Sequence, residues 1–471
     1  MRALSLMGVL SVLATGCSFT TAAGLEECET TADCGADQVC AQNFCLPLPT
    51  GCGKIYGSTD PNAVQMGALL PLSTSTAPGA GLDESDVQAL NAALLALEDF
   101  NQRGFMGKQI SLHFCDTAGD AERTKKQVSW LVGEKKVAAM LTAGSSQTLA
   151  ATAVTVPADV LTVSYSASSP ELTSLPDAPT SGGTTGLLWR TAPSDAIQGR
   201  VIADLLRTDT ARFGTVTRVG VLYVNDPYGQ GLNNAISTQL GKTAPSMVVK
   251  GFSYPRRGDV KTALNQLNDF KPDITVLMAF ADDAVVILKE ASTLANLKRG
   301  STNTTGHRWF FSDSVKDSAV LGDTQVRDLA QGFYGTAPAQ GAGQAFRAFQ
   351  NAFENKYQKN PSGYAYISNA YDAMYLLELA TAYSLGTTST VTGPKMAEGL
   401  TKLSTGTPSD QTQLTNSNFT FIASELAAGR SVNVEGASGP LDFDLAGEAP
   451  APVELWQVQG GSFIPIEQRN P

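Results

Sequence analysis

Two adjacent serines, Ser145 and Ser146, follow the apolar run Val137 to Leu141 and open a segment with helical spacing. At a strand-to-helix junction the first backbone N–H groups lack intrahelical partners. With the positive end of the helix dipole they favour an anion such as a carboxylate. Ser166 and Ser168 lie just past the next strand-like run, Val160 to Ser164, and offer a further backbone donor and a hydroxyl. All four serines equally suit turn and helix-cap duties. Acid–base and metal chemistry find less support. Of the two histidines, His113 sits in an alternating run and His307 in a Gly- and Thr-rich stretch, and neither has a partner at metal-ligand spacing. Gly241-Lys242-Thr243 lacks the earlier glycine of a phosphate loop, since Ile236 holds that place, and Asn234 breaks the dinucleotide pattern begun by Gly229 and Gly231. No Gly-x-Ser-x-Gly elbow occurs, and Asp282-Asp283 reads as the solvated cap of a helix. The expectation is a binder, not an enzyme, with no cofactor and no metal.

The seven cysteines speak to location. Met1 to Cys17 has one cation, Arg2, an apolar run from Ala3 to Ala14, and small residues ahead of Cys17. The run is short for a bilayer span and resembles a bacterial lipobox, with Ala14 where leucine is usual. Residues 1–17 are therefore expected to be a lipoprotein signal peptide with Cys17 acylated, a conventionally cleaved signal being the alternative. Ser18 favours the outer membrane, and no later stretch has eighteen uninterrupted apolar residues, so membrane contact is expected through the N-terminal lipid alone. Cys28, Cys34, Cys40 and Cys45 crowd into a segment without histidine and poor in core-forming side chains, which favours disulfides over zinc. Three connectivities are open to them; the expected one joins Cys28 to Cys40 and Cys34 to Cys45. Cys52 and Cys115 are left for each other. Residues 18–61, ending in a Pro- and Gly-rich stretch, read as a Cys-rich tether.

The body of the 471-residue chain must position these groups. Val64 to Leu70 reads as a strand, and Val87, Leu90, Leu94 and Leu97 recur at helical spacing before Gly104. Strand-like runs at Ile110 to Phe114, Val137 to Leu141 and Val160 to Ser164 alternate with helical segments, the rhythm of a parallel sheet covered on both faces. After a loop from Ser174 to Gly186 the rhythm restarts at Asp195. It continues through strands Val219 to Val224, Ile274 to Phe280 and Trp309 to Phe311, with a helix from Gly231 to Leu240. A net charge of −11, from 44 acidic and 33 basic residues, argues against nucleic acid as a partner.

Several pieces occur in an order that resembles the type I periplasmic binding proteins, specifically the branched-chain amino-acid receptors of ABC importers. They are Gly67-Ala-Leu-Leu-Pro71-Leu-Ser73, Phe100-Asn101-x-x-Gly104, Gly144-Ser145-Ser146, Ser164 to Thr173, Arg190 to Gly199, Asp226-Pro-Tyr228-Gly-Gln-Gly231, Asp313 and Gly439-Pro-Leu-Asp442. The resemblance implies an α/β fold of two interwoven, doubly wound parallel-sheet lobes joined by a three-crossing hinge. Residues 62–192 and 338–440 would form one lobe, and 193–337 and 441–468 the other. It implies ligand contacts by Ser145, Ser146, Ser166 and Ser168 on a carboxylate, Asp313 on an ammonium, and Tyr228 and Phe280 as aromatic walls. Each of these three has an ordinary reading too: a loop acid, a turn tyrosine, a strand-end core aromatic.

The chain departs from the family pattern where Ser73 to Gly81 carries no aromatic residue and where no cysteine stands near Gly144. The first departure weakens a branched-chain ligand; the second fits Cys115 pairing with Cys52. The expected partners are a small zwitterionic amino acid or analogue and an inner-membrane ABC permease, with the protein a lipid-anchored monomer of the periplasm. A ligand-sensing or envelope-regulatory lipoprotein on the same fold, without a permease, is the alternative; fold alone does not separate the two.

Overall fold

The structure, a computed structural model, describes residues 26–30, 33–35, 38–41, 43–299, 306–404 and 411–470. The expected signal segment and Cys17 lie outside the described residues. The chain divides into two units, Met1–Leu48 and Pro49–Pro471. In the first, strands Gln38–Ala41 and Phe44–Pro47 form an antiparallel hairpin, with Asn43 at positive φ in its turn. Cys28 is bonded to Cys40 and Cys34 to Cys45, the pairing expected. With only Cys28, Val39 and Cys45 as its buried apolar side chains among the described residues, crosslinks substitute here for a hydrophobic core.

The second unit holds two sheets. The first runs in the order Cys52–Gly57, Ile110–Asp116, Val64–Leu70, Ala139–Thr142, Leu161–Ser164, Leu188–Arg190, parallel except for the edge strand Cys52–Gly57. That edge strand was read from the sequence as tether; the Cys52–Cys115 disulfide pins it to its neighbour. Tyr56 is its one ring, set edge-on to Phe114 at 5.8 Å, so there was little apolar alternation to reveal a strand. The second sheet runs Val248–Tyr254, Arg218–Val224, Ile274–Met278, Arg308–Phe311, Tyr334–Pro338, then antiparallel Val453–Gln459 and Ser462–Arg469. Val64–Leu70 is buried at six of its seven positions, as a strand covered on both faces requires.

Two cores follow from the sheets. One gathers residues from Val64 to Trp189 and again from Phe349 to Leu441, and the other residues from Val201 to Ala337 and from Val453 to Phe463. The chain therefore crosses between lobes three times, after Trp189, after Ala337 and after Leu441. Arg190 in the first crossing forms a buried ion pair with Glu448 in the third and donates to the carbonyls of Ala167 and Ser169. In the first lobe, helix Ile367–Thr388 is buried all round through Leu385 and packs along helix Glu84–Arg103, which Asp83 caps by accepting from the Asp86 amide.

Several local readings change. The helix expected from Gly231 begins at Pro227, because Asp226 caps it and proline suits the first turn. Gly241-Lys242-Thr243 ends that helix instead of opening one. His307 is buried, bonded to the Thr275 hydroxyl and edge-on to Trp309 at 5.3 Å, instead of lying in an open loop. Burial lowers both His307 and His113 to about 4, so both rings are neutral structural groups. Asp283 is not solvated: it is buried and accepts from the Arg257 amide, while Asp282 pairs with the Arg257 side chain.

Candidate functional site

In each sheet the strand that comes first in sequence among the parallel ones, Val64–Leu70 or Arg218–Val224, has its successor on one side and the third strand on the other. The chain therefore leaves to opposite faces on either side of that point, and a crevice opens at the carboxyl ends of the strands. The loops leaving those ends line one cavity of about 90 Å³ between the lobes. Its first pole is helix Ser145–Thr155. Gly144 precedes it at φ 69°, no side chain caps its first turn, and Ser145 is its first residue. The Ser166 hydroxyl accepts from the Gly144 amide at 3.0 Å and the Ser145 hydroxyl from the Ser169 amide at 3.1 Å. The serine hydroxyls thus shape the loop, while uncapped helix amides and partial positive charge are left at the cavity.

The second pole is Asp313, on the 3-10 turn that follows strand Arg308–Phe311. It is 2% exposed and accepts from Tyr228 Oη and Tyr366 Oη, each at 2.7 Å, and from Gln198 Nε2 at 3.1 Å. Burial raises its carboxyl above the ordinary range, and those three hydrogen bonds pull the other way. A carboxylate offers about four acceptor positions, so roughly one remains for a ligand donor. Tyr228 comes from the first turn of helix Pro227–Thr243, where the close approach of Gly229 to the Val224 carbonyl leaves no room for a side chain. Its ring lies 5.9 Å from that of Phe280, which ends the loop after strand Ile274–Met278, and Arg256 stacks on Phe280 at 3.7 Å. Tyr366 holds a left-handed backbone, φ 65°, a conformation costly for a bulky residue, and so turns its hydroxyl onto Asp313.

Ser145, Ser166, Tyr228, Phe280 and Asp313 therefore line the same cavity. Ser146 and Ser168 do not. The Ser146 hydroxyl is bonded to Asp226 of the other lobe, and the buried Ser168 hydroxyl donates to Asp195 at 3.0 Å. Asp195 is fully buried, one of its oxygens has no partner, and burial with Asp313 beside it raises its carboxyl well above the usual range.

The sequence reading missed Asp83, Asp86, Tyr165, Lys316, Asp317 and Tyr366, all on the cavity. Asp83-x-x-Asp86 ahead of the Val87 periodicity is a helix-start signal that was available; nothing in sequence marks Tyr366. Among the described residues no branched aliphatic side chain lines the cavity, whose apolar lining includes the rings of Tyr165, Tyr228, Phe280 and Tyr366.

The model of the family described as periplasmic binding protein matches residues 63–448. Among solved structures, the chain is similar to a leucine-binding protein LivK from Thermotoga maritima, at 18% identity and TM-score 0.67 over 87% of this chain and 99% of that one. It is also similar to the branched-chain amino-acid binding protein LivJ from Streptococcus pneumoniae in complex with isoleucine, at 18% identity and TM-score 0.64 over 87% and 100%. A third is an ABC-transporter solute-binding protein from R. palustris in complex with benzoate, at 16% identity and TM-score 0.62 over 87% and 97%. No curated protein matches the sequence.

Proposed function

The chain belongs to the periplasmic binding protein family, and from that premise we propose that it is the extracytoplasmic solute-binding lipoprotein of an ABC importer, closing on an amino acid or similar small polar solute. The observation that carries this reading is the pairing, on one cavity, of an uncapped helix start at Ser145 with the buried acid Asp313. An α-carboxylate meets donors at the first, an α-ammonium meets charge at the second, and both act in a desolvated space where such contacts are strong. The cavity, of about 90 Å³, is sized for a small solute.

The same features weigh against two other ligand types. A branched aliphatic side chain would find only the methyls of Ala281 and Ala365 as small aliphatic partners among the lining residues, and an aromatic or fatty acid would bring an anion without the ammonium that Asp313 suits. Acylation at Cys17 rests on the leader sequence and would hold the protein at the membrane while the lobes work in water. The identity of the solute that copurifies in mild buffer, read by mass spectrometry, tests the proposal. An α-amino acid supports it, and recovery of a fatty or aromatic acid sinks it.

A further inference from the structure

Asp313 is not the only acid on the cavity. Asp83 and Asp86 enter from the start of helix Glu84–Arg103 in the first lobe, and Asp317 enters from the second. Each spends one oxygen on the protein. Asp83 accepts from the Asp86 amide at 3.3 Å, Asp86 from Tyr165 Oη at 2.8 Å, and Asp317 from the Ala319 amide at 2.7 Å. The other oxygen of each has no hydrogen bond among the described residues, although the Asp317 residue is only 3% exposed and lines the cavity. Closure brings these acids on opposite lobes together, which costs free energy unless a cation stands between them or a carboxyl holds a proton. Burial and the neighbouring acids raise Asp83, Asp86 and Asp317, the last to about 7, and a cation would draw them back to the charged form.

The protein supplies little of that cation. Lys316, also on the cavity, is committed to a buried ion pair with Glu454. Arg256 acts on Asp83 and Asp86 through space, and Arg257 on Asp83, but neither is in ion-pair contact with these acids among the described residues: Arg256 lies flat on Phe280 and Arg257 pairs with Asp282. A metal ion does not fit the gap. Among the described residues, the only three or more ligand-type side chains whose ligand atoms converge closely enough for one ion are the cysteines of the N-terminal unit, which are in disulfides. A spread of single free oxygens suits an organic cation with several N–H donors instead.

We propose that the solute carries a second cation beyond its α-ammonium, an ammonium or guanidinium on a short side chain, held between Asp86 and Asp317 with Asp83 beside them. This rests on the amino-acid reading above and narrows it to a basic amino acid. Titration calorimetry of the full chain with ornithine and with norvaline, its counterpart without the side-chain ammonium, is the test. Ornithine should bind at least about tenfold more tightly, the worth of one charge-assisted contact. Asp86→Asn and Asp317→Asn should each shrink that ratio to about threefold or less. Asparagine keeps an acceptor for Tyr165 and for the Ala319 amide, and a thermal melt checks that both variants fold. Norvaline binding as tightly as ornithine overturns the inference and leaves the amino-acid reading standing. A ratio that survives both substitutions overturns the assignment to the acid wall. If ornithine, norvaline, alanine and leucine all fail to bind, the amino-acid reading falls, and this inference with it.

Discussion

The floor of the cleft and the long helix Ile367–Thr388 both bury carboxylates, and they treat them differently. In the cleft, Asp313 receives three hydrogen bonds and still faces a cavity. On the helix, Asp372 receives three, from the amides of Ala437 and Ser438 and from the Ser438 hydroxyl, and is fully buried. Burial raises Asp372 only to about 6, because those donors favour its charged form. Two turns along, Glu378 is fully buried with both oxygens bare, and burial, then Asp99, push its carboxyl well above the ordinary range. Burial and a raised carboxyl therefore do not mark a site by themselves. Donors fix where a charge is kept, and an adjoining cavity decides whether a ligand shares it.

The largest break in that comparison is Asp313→Ala. It removes the acceptor for Tyr228, Tyr366 and Gln198 together with the ammonium partner, so affinity for an α-amino acid should fall on the order of a hundredfold. The melting temperature should fall far less, since Tyr228 keeps Ser312 and Ser314 as partners, Gln198 keeps Thr336, and the cavity leaves room for water to serve Tyr366. Calorimetric binding read beside a thermal melt checks both. Unchanged affinity removes Asp313 from the ligand site.

Asp372→Asn breaks the same kind of donor cage where no ligand is present. Its amide has one acceptor oxygen for three donors and places an NH2 group against them, so about 1–3 kcal/mol of stability should be lost with ligand affinity little changed. Equilibrium denaturation with and without ligand separates the two effects. A large loss of affinity would mean that the Ala437–Ser438 turn, just ahead of the third crossing, belongs to the closing machinery.

Glu378→Met should go the other way, raising stability by roughly 1 kcal/mol at neutral pH by removing a buried polar group that has no partner. The pH dependence carries a sign. Folded, Glu378 keeps a proton that the unfolded chain releases above the ordinary glutamate value. Its contribution is therefore complete at low pH and lost as pH rises from that value toward the raised native one. The variant should lack that slope and gain more at pH 8 than at pH 5. Equal gains at both would show that Glu378 is charged in the native protein.

Much of this was legible in sequence because the fold is written in local patterns. Strand Val64–Leu70 was read to its ends, and disulfides in the cysteine cluster followed from its poor core-forming content and missing histidine, while the pairing found was one of three connectivities the spacing left open. The serine loop was visible for the same reason, since strand, glycine and small polar residues sit side by side. What was not legible depends on long-range placement. Tyr366 reaches Asp313 only through a left-handed turn 53 residues away in sequence, and Ser146 and Ser168 turn their hydroxyls to acids elsewhere in the chain. The acid wall needs both lobes in place. Asp83-x-x-Asp86 looks in sequence like any helix start, and only Asp317 across the gap makes it a charged wall.

The smallest expected effect tests whether the cleft's charge is also used to hold it shut. Arg257 of the second lobe donates from Nη1 to the Ala118 carbonyl of the first at 3.3 Å, while its Nε pairs with Asp282 at 2.6 Å. Both contacts are partly exposed, so Arg257→Ala should cost about 0.5–1 kcal/mol. That is roughly a two- to fivefold loss of affinity, appearing mainly as faster ligand release because the lost bond exists only when the lobes meet. Stopped-flow release from the loaded protein measures it, and Arg257→Lys should restore part of the loss by keeping a charge near Asp282. An off-rate equal to the native one would mean that the ligand's own contacts hold the lobes together, with the serine loop and the acids as the entire latch.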